Sequence, residues 1–192
     1  MVGLGNPGER YAATRHNVAW RVLDLLAERW HAAPAERTEL FSARRASVAD
    51  REVELMRPLT YVNRTGEALT AWTRERGGPP EGWLVVADDV WLPIGVVRMR
   101  SQGSAGGHRG LASLEAAFGS PEFARLRVGV GAAASQEQLK EHVLAPFEAA
   151  ELGGVDEAVE RAADAVACWL NEGALVAMNR FNRKIVKEVQ EP

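Results

Sequence analysis

The chain has 192 residues, of which 46% are hydrophobic and 26% are charged, and its net charge is -3 at pH 7. This length suits one well-cored domain, so we expect a single domain over 1–192, and the lack of a long apolar run or a secretory signal predicts a cytoplasmic protein without a membrane partner. The only cysteine, Cys168, excludes an internal disulfide and a thiolate metal cage.

The first element is a glycine run, Gly3-Leu4-Gly5-Asn6-Pro7-Gly8, followed by a polar cluster, Arg15-His16-Asn17. The glycine spacing fits a dinucleotide-binding turn. Against that interpretation, the strand before it is very short, Pro7 lacks an N–H for a phosphate, and the expected acidic residue, Asp24, lies in a helical pattern. We interpret the run as a turn that holds Asn6 at the mouth of a cleft. The short first strand also leads us to expect a natural chain that starts further upstream.

The apolar pattern predicts helices and a hairpin in the regions that follow. A helix spans 18–30, with Asn17 as its N-cap, and a long helix spans 155–171. Strands over 41–48 and 53–56 form a hairpin around Asp50-Arg51, and Pro58 ends the second strand. A loop over 59–66 leads into a further helix, which the run Gly77-Gly78-Pro79-Pro80 ends.

The middle of the chain alternates strands with a helix. Residues 83–87 form a short buried strand with Asp88-Asp89 at its carboxyl end, and strands are also predicted over 95–100 and 126–130. A glycine-rich loop, 101–110, precedes a helix over 111–118. This order predicts an α/β fold with a single three-layer open mixed sheet flanked by helices. Ligands bind such sheets at the carboxyl ends of strands, where Asn6 and Asp88 both lie.

Arginines mark two of the predicted strands. Alternation along the strand sends Arg98 and Arg100 to one face, and Arg127 lies on another strand. The net negative charge argues against a nucleic acid partner, but the distribution of charge matters more than its sum. From spacing alone, these arginines form either a solvated strand face or a phosphate-binding one.

Four polar residues have the chemistry to activate water for hydrolysis. His16 would be the general base, Asp88 would fix its tautomer, and the amides of Asn6 and Asn63 would bind the reacting carbonyl. Spacing alone also allows separate roles as a loop residue, a turn former and a helix cap. A metal site is poorly supported because the histidines are scattered without an HExxH motif, and no G-x-S-x-G elbow offers a serine nucleophile.

Several motifs occur together and in order. They are the glycine run with Tyr11 and Thr14-Arg15-His16-Asn17, then Arg57-Pro58-Leu59-Thr60-Tyr61-Val62-Asn63, Asp88-Asp89 with Leu92-Pro93, Gly106-Gly107-His108, and the tail Met178-Asn179-Arg180-Phe181-Asn182. Together they resemble the bacterial peptidyl-tRNA hydrolase family. The resemblance runs from the first residue to about Phe147 and includes the tail.

The resemblance implies a monomeric enzyme without a metal or cofactor that hydrolyses the ester between a peptide and its tRNA. It implies that His16 is the base, that Asp88 holds it, and that Asn6 distinguishes blocked from free aminoacyl-tRNA. Asn63 would bind near the ester, and the residues that line the site or bind the acceptor stem and 3′ end of the tRNA would be Tyr11, Tyr61, Arg98, Arg100 and Arg127.

Arg109 departs from the family pattern, in which an Asn follows the histidine. Arginine cannot accept a hydrogen bond as an amide does, but its fork of donors can bind a phosphate near the 3′ end. The departure leaves a second interpretation open, an RNA-binding homologue without hydrolysis, like the splicing-factor relatives in plant chloroplasts. Retention of His16 and Asp88 favours the enzyme, since binding alone would not require them.

Overall fold

The computed structural model describes residues 1–78 and 82–182. Within them, strands form one seven-stranded sheet in the order β2-β3-β4-β1-β5-β7-β6. The central strands β4, β1, β5 and β7 run parallel, and β2, β3 and β6 pair antiparallel with their neighbours. The strands are β1 (Val2–Gly3), β2 (Glu36–Arg37), β3 (Phe41–Val48), β4 (Arg51–Pro58), β5 (Leu84–Asp89), β6 (Val97–Arg100) and β7 (Ala124–Gly129).

Helices cover both faces of the sheet. They are α1 (Val18–Arg29), α2 (Thr65–Arg76), α3 (Arg109–Phe118), α4 (Leu139–Leu144), α5 (Leu152–Glu172) and α6 (Ala174–Phe181). The described helices include none that is long and apolar enough to cross a membrane.

The two faces have separate cores because side chains alternate along each strand. In β5, Leu84 and Val86 pack in the cluster formed with α1, α5 and α6. Their neighbours Val85 and Ala87 pack in the opposite cluster, which includes Leu111 of α3 and residues of α2. The predicted α/β fold with a three-layer mixed sheet is confirmed.

The strand bounds differ from the predicted ones where polar residues extend a strand. The first hairpin strand is confirmed, but β4 begins at Arg51 because the ladder pairs it with Val48 around a turn in which Ala49 and Asp50 both have positive φ. Asp88 and Asp89 are the last residues of β5 and do not follow it. An amphipathic pattern cannot detect such extensions, because their side chains are exposed or engaged in hydrogen bonds.

The helix bounds agree with prediction within a few residues. The helix before the glycine-proline run ends at Arg76, where Gly77 has a φ of 71°. The Pro79-Pro80 part of the predicted break lies outside the described residues. The long helix α5 extends the predicted 155–171 at both ends, and it buries Cys168, whose thiol contacts Glu172 and Arg180.

Candidate active site

Three side chains meet at the carboxyl end of β5. Asp88 Oδ1 lies 2.6 Å from His16 Nδ1 and 2.9 Å from His108 Nε2. His16 comes from the short 3-10 helix Arg15–Asn17, which leads directly into α1, and His108 is the N-cap of α3. Asp88 and His16 are buried and His108 is largely buried. A segment before α1 and a loop before α3 therefore deliver two imidazoles to one carboxylate.

Backbone groups determine which imidazole nitrogens carry protons. His108 Nδ1 accepts hydrogen bonds from the N–H groups of Gly110 and Leu111, so its proton is on Nε2 and is donated to Asp88. His16 donates from Nδ1 to the same carboxylate, which leaves its Nε2 unprotonated. This nitrogen forms no hydrogen bond with the described residues. The arrangement therefore presents one free basic nitrogen.

Interactions within this cluster shift the pKa values of His16 and Asp88 in opposite directions. Burial alone would lower the pKa of His16, but the charge and hydrogen bond of Asp88 outweigh burial and raise that pKa above its usual value of 6.5. Burial alone would raise the pKa of Asp88, but the two imidazoles hold it well below its usual range. Asp88 is therefore ionised at neutral pH and acts as an acceptor.

The same three residues form a set whose ligand atoms all lie within 4.8 Å of one another, a spacing at which a metal ion could be held. The hydrogen bonds argue for a different role. A metal-bound histidine usually donates its other ring N–H to an acceptor, whereas His108 Nδ1 accepts from two backbone groups. His108 Nε2 therefore carries a proton and is not available as a ligand in this tautomer.

A second network fixes the amide of Asn6. The Asn6 N–H donates to Asn17 Oδ1 at 2.8 Å, and Asn17 Nδ2 donates back to the Asn6 carbonyl at 3.0 Å. The side-chain Oδ1 of Asn6 accepts from the Val62 N–H at 2.9 Å. Its Nδ2 forms no hydrogen bond with the described residues. Asn6 therefore presents a donor, with its orientation set by the two groups that occupy its other atoms.

The glycine run permits this network by allowing close packing. A Cβ on Gly5 would lie 2.8 Å from both Asn17 Oδ1 and the indole nitrogen of Trp20. Gly8 has a φ of 105°, a conformation that favours glycine. The run therefore brings α1 against β1 and turns the chain, as expected for a turn that holds Asn6.

The two networks converge at α3. A Cβ on Gly110 would contact Val62 at 2.8 Å and His108 at 3.0 Å. Val62 holds Asn6, and His108 holds Asp88, so the two sets of polar groups lie next to each other; we refer to the region between them as the cleft. We refer to Asn6, His16, Asn17, Asp88 and His108 as the Asp88 pocket.

Among the remaining predicted site residues, Tyr11 follows β1, Tyr61 and Asn63 follow β4, and Arg109 lies beside His108. Tyr11 and Tyr61 form an edge-to-face pair with ring centroids 6.3 Å apart. Asn63 follows them in the 3-10 helix Val62–Arg64, where it is exposed and makes no hydrogen bond with the described residues. Arg109 is the exposed first residue of α3, next to His108, and likewise has no partner among the described residues.

The predicted arginines belong to two cross-strand pairs on β6 and β7. Arg98 lies opposite Arg127, and Arg100 lies opposite Arg125. Arg98 and Arg100 are exposed on the same face of the strand, as predicted, and form no ion pair with the described residues. We refer to these four residues as the arginine face.

The β7 members of the arginine face are engaged inside the protein. Arg127 donates to the carbonyls of Ser104 and Ala105 at 2.9 and 3.0 Å, and it pairs with Asp89 at 3.3 Å. Arg125, which sequence analysis did not single out, donates to the Ser104 carbonyl and to Glu115. Both arginines therefore anchor the glycine-rich loop, 101–110, to the sheet. His108 lies near the end of this loop.

Sequence analysis also missed two members of the Asp88 pocket. His108 was named only within the Gly106-Gly107-His108 motif and was not assigned a role, because histidine is not among the residues that usually cap a helix. Asn17 does occupy the N-cap position of α1, but its side chain makes no capping bond. The capping role is wrong because Asn17 bonds to both backbone groups of Asn6.

A family model, sequence relatives and a solved structure that are similar to this chain all carry the same family name. A family model described as peptidyl-tRNA hydrolase matches residues 1–189. The peptidyl-tRNA hydrolase of Symbiobacterium thermophilum is 44% identical over 184 residues, which cover 95% of this chain and 97% of the relative. That of Thermus thermophilus is 44% identical over 183 residues, covering 95% and 94%. The crystal structure of the Acinetobacter baumannii peptidyl-tRNA hydrolase superposes with a TM-score of 0.88 at 32% identity, covering 94% of this chain and 92% of the other.

Proposed function

The chain belongs to the peptidyl-tRNA hydrolase family, and we propose how it splits peptidyl-tRNA into peptide and tRNA: His16 acts as the general base on water. The observation that carries this proposal is the 2.6 Å contact between His16 Nδ1 and the buried Asp88, which leaves His16 Nε2 free. This geometry is what general-base catalysis requires.

In the first step, His16 Nε2 takes a proton from water while the water oxygen attacks the ester carbonyl carbon. The resulting imidazolium is stabilised by the negative charge of Asp88. Collapse of the tetrahedral intermediate breaks the bond to the 3′ oxygen of the tRNA, and the imidazolium returns its proton to that oxygen. His108 supports both steps from a distance, because its hydrogen bond holds Asp88 in place and favours its ionised form.

Asn6 and Asn63 bind the peptide side of the substrate. The free Nδ2 group of Asn6 donates to a carbonyl of the blocked amino acid, and the exposed Asn63 amide lies nearby on the segment that follows Tyr61. A free α-ammonium group cannot replace that carbonyl as an acceptor, so an aminoacyl-tRNA would leave the buried donor unpaired. Tyr11 and Tyr61 line this side of the cleft.

Arginines bind the tRNA side, at the acceptor stem and the 3′ end. Arg98 and Arg100 project from β6 without a partner among the described residues, which supports contact with phosphates. Arg109 adds a guanidinium beside the Asp88 pocket, where it would reach a phosphate of the 3′ end. Arg127 contributes to this side indirectly, because it anchors the glycine-rich loop through the Ser104 and Ala105 carbonyls. The enzyme works as a cytoplasmic monomer with one domain, without a metal or cofactor.

The test is release of tRNA from N-acetyl-aminoacyl-tRNA, compared with free aminoacyl-tRNA. We expect hydrolysis of the blocked substrate only. His16→Ala should lower kcat by roughly 10³-fold, in the range of general-base contributions, while tRNA binding persists. His31→Asn, at an exposed histidine outside the site with a positive φ that Asn tolerates, should leave hydrolysis unchanged. Tight tRNA binding by a folded protein that hydrolyses nothing would instead establish the non-catalytic RNA-binding alternative.

A further inference from the structure

A third feature of the cleft involves a residue with no role so far, Arg10. Its guanidinium carbon lies 4.6 Å from the centre of the Tyr11 ring, and its Nη2 donates to the Tyr61 hydroxyl at 3.2 Å. Tyr11 and Tyr61 in turn contact each other edge to face. An exposed arginine side chain is therefore held at two points, which reduces the conformational freedom it would lose on binding a ligand.

Arg10, Tyr11 and Tyr61, which we call the trio, lie on one side of the cleft. Tyr11 and Arg10 follow β1, and Tyr61 follows β4 and directly precedes Val62, whose N–H holds Asn6. The strand order is β4-β1-β5-β7-β6, so Asp88 on β5 separates this trio from Arg98 on β6. Arg10 therefore borders the peptide side of the cleft, across Asp88 from Arg98 and Arg100 on β6.

No carboxylate of the described residues neutralises the charge of Arg10. It forms no ion pair with any carboxylate in 1–78 or 82–182. Its only hydrogen bond there is to a neutral hydroxyl, so most of its five N–H donors are free. A guanidinium fork of this kind matches the two oxygens of a carboxylate.

We propose that Arg10 is a specificity residue for the peptide, which favours peptidyl groups that carry a carboxylate side chain close to the esterified residue. The inference rests on the proposed function, because it requires the peptide to leave the site past Asn6. The ion pair between Arg10 and this carboxylate would be exposed to solvent, and exposed ion pairs change binding equilibria by about threefold.

The experiment uses two substrates that differ by one functional group: N-acetyl-Glu-Phe-tRNA and N-acetyl-Gln-Phe-tRNA. The wild-type enzyme should hydrolyse the acidic substrate with a kcat/KM about threefold higher, in the range of an exposed ion pair. Arg10→Ala should abolish this preference, and Tyr61→Phe, which removes the acceptor that orients the guanidinium, should reduce it. Arg37→Ala, which removes an exposed arginine on β2, is the matched control and should retain the preference.

Binding of 3′-amide-linked, non-hydrolysable analogues of both substrates separates this inference from the proposed function. If the wild-type protein binds the acidic analogue more tightly but hydrolyses neither ester, the proposed function fails and the role of Arg10 stands. If the enzyme hydrolyses both esters equally well, the proposal is overturned. It is also overturned if Arg10→Ala lowers kcat/KM by the same factor for both, because a contact with the tRNA would not distinguish the peptides.

Discussion

The Asp88 pocket and the arginine face use their polar groups in opposite ways. In the pocket, most polar atoms of Asn6 and Asp88 form hydrogen bonds inside the chain, and the groups that form none with the described residues are His16 Nε2, Asn6 Nδ2 and Asp88 Oδ2. On the arginine face, Arg127 is engaged internally, while its cross-strand partner Arg98 makes no hydrogen bond or ion pair with the described residues. Under the proposed function, the pocket would act through preorganised groups, whereas the arginine face would bind through exposed charge that adapts to its ligand.

The largest effect is expected from Asp88→Asn in the pocket. The change removes the charge that orients His16 and stabilises its imidazolium, so kcat should fall by roughly 10³-fold. The pH profile should change as well. His16 must be neutral to act as a base, and its pKa is raised, so wild-type activity is lost as the pH falls through a pKa above 6.5.

In Asp88→Asn, burial is the main remaining influence on the pKa of His16, and it lowers that pKa. The acidic limb of the residual kcat/KM profile should therefore move to lower pH. Asp156→Asn, which alters an exposed carboxylate on α5, is the control and should keep both the rate and the profile. An unchanged acidic limb in Asp88→Asn would contradict the assignment of the base.

A somewhat smaller effect is expected from Asn6→Asp, which tests the donor in the pocket. The carboxylate keeps an oxygen to accept from the Val62 N–H but loses the free Nδ2 donor. Loss of one preorganised donor should lower kcat/KM for N-acetyl-aminoacyl-tRNA by about 10²-fold. Circular dichroism and thermal unfolding would verify the fold. Activity near the wild-type value in a folded variant would show that the Nδ2 group does not bind the substrate.

Arg127→Ala links the two regions, because it tests whether one member of the arginine face supports the geometry of the Asp88 pocket. Removal of its bonds to Ser104 and Ala105 should loosen the loop before His108. Amide exchange over 101–110 should accelerate, and kcat should fall by about tenfold as the pocket loses its alignment. Arg98→Ala, at the residue opposite on β6, should leave exchange in the loop unchanged. If the two variants showed the same amide exchange rates over 101–110, Arg127 would not anchor the loop.

The smallest effects are expected from Arg98→Ala and Arg100→Ala. Each should raise KM for peptidyl-tRNA a few fold, leave kcat unchanged, and reduce the slope of log affinity against log salt by about one. Titrations of tRNA binding between low and moderate ionic strength would measure the slope. A slope that stays the same in the double variant would show that tRNA phosphates lie elsewhere.

Local patterns in the sequence were enough to predict most of the fold. The alternation in 41–48 and the apolar run in 83–87 predicted the strands. A strand that is buried on one face has alternating apolar residues, and a strand that is buried on both faces has a continuous apolar run. The ends of β4 and β5 were misplaced, since Arg51 and Asp89 extend strands without being apolar. The motifs also identified His16, Asp88 and Asn6 as residues of one kind of chemistry, although spacing alone did not bring them together.

The amino-acid sequence was enough to predict most of the elements, the family resemblance and the residue types that could act on an ester, but not β2 or α4. Which of these residues meet follows from the tertiary structure, because their partners are far apart in the chain. His16 and Asp88 are separated by 72 positions, and Asn6 and Val62 by 56. It also distinguished arginines of the same type, since Arg98 and Arg127 lie on adjacent strands and differ only in what covers them. Position in a chain cannot reveal burial by a distant loop, and burial determines whether a charge anchors the protein or remains free to bind.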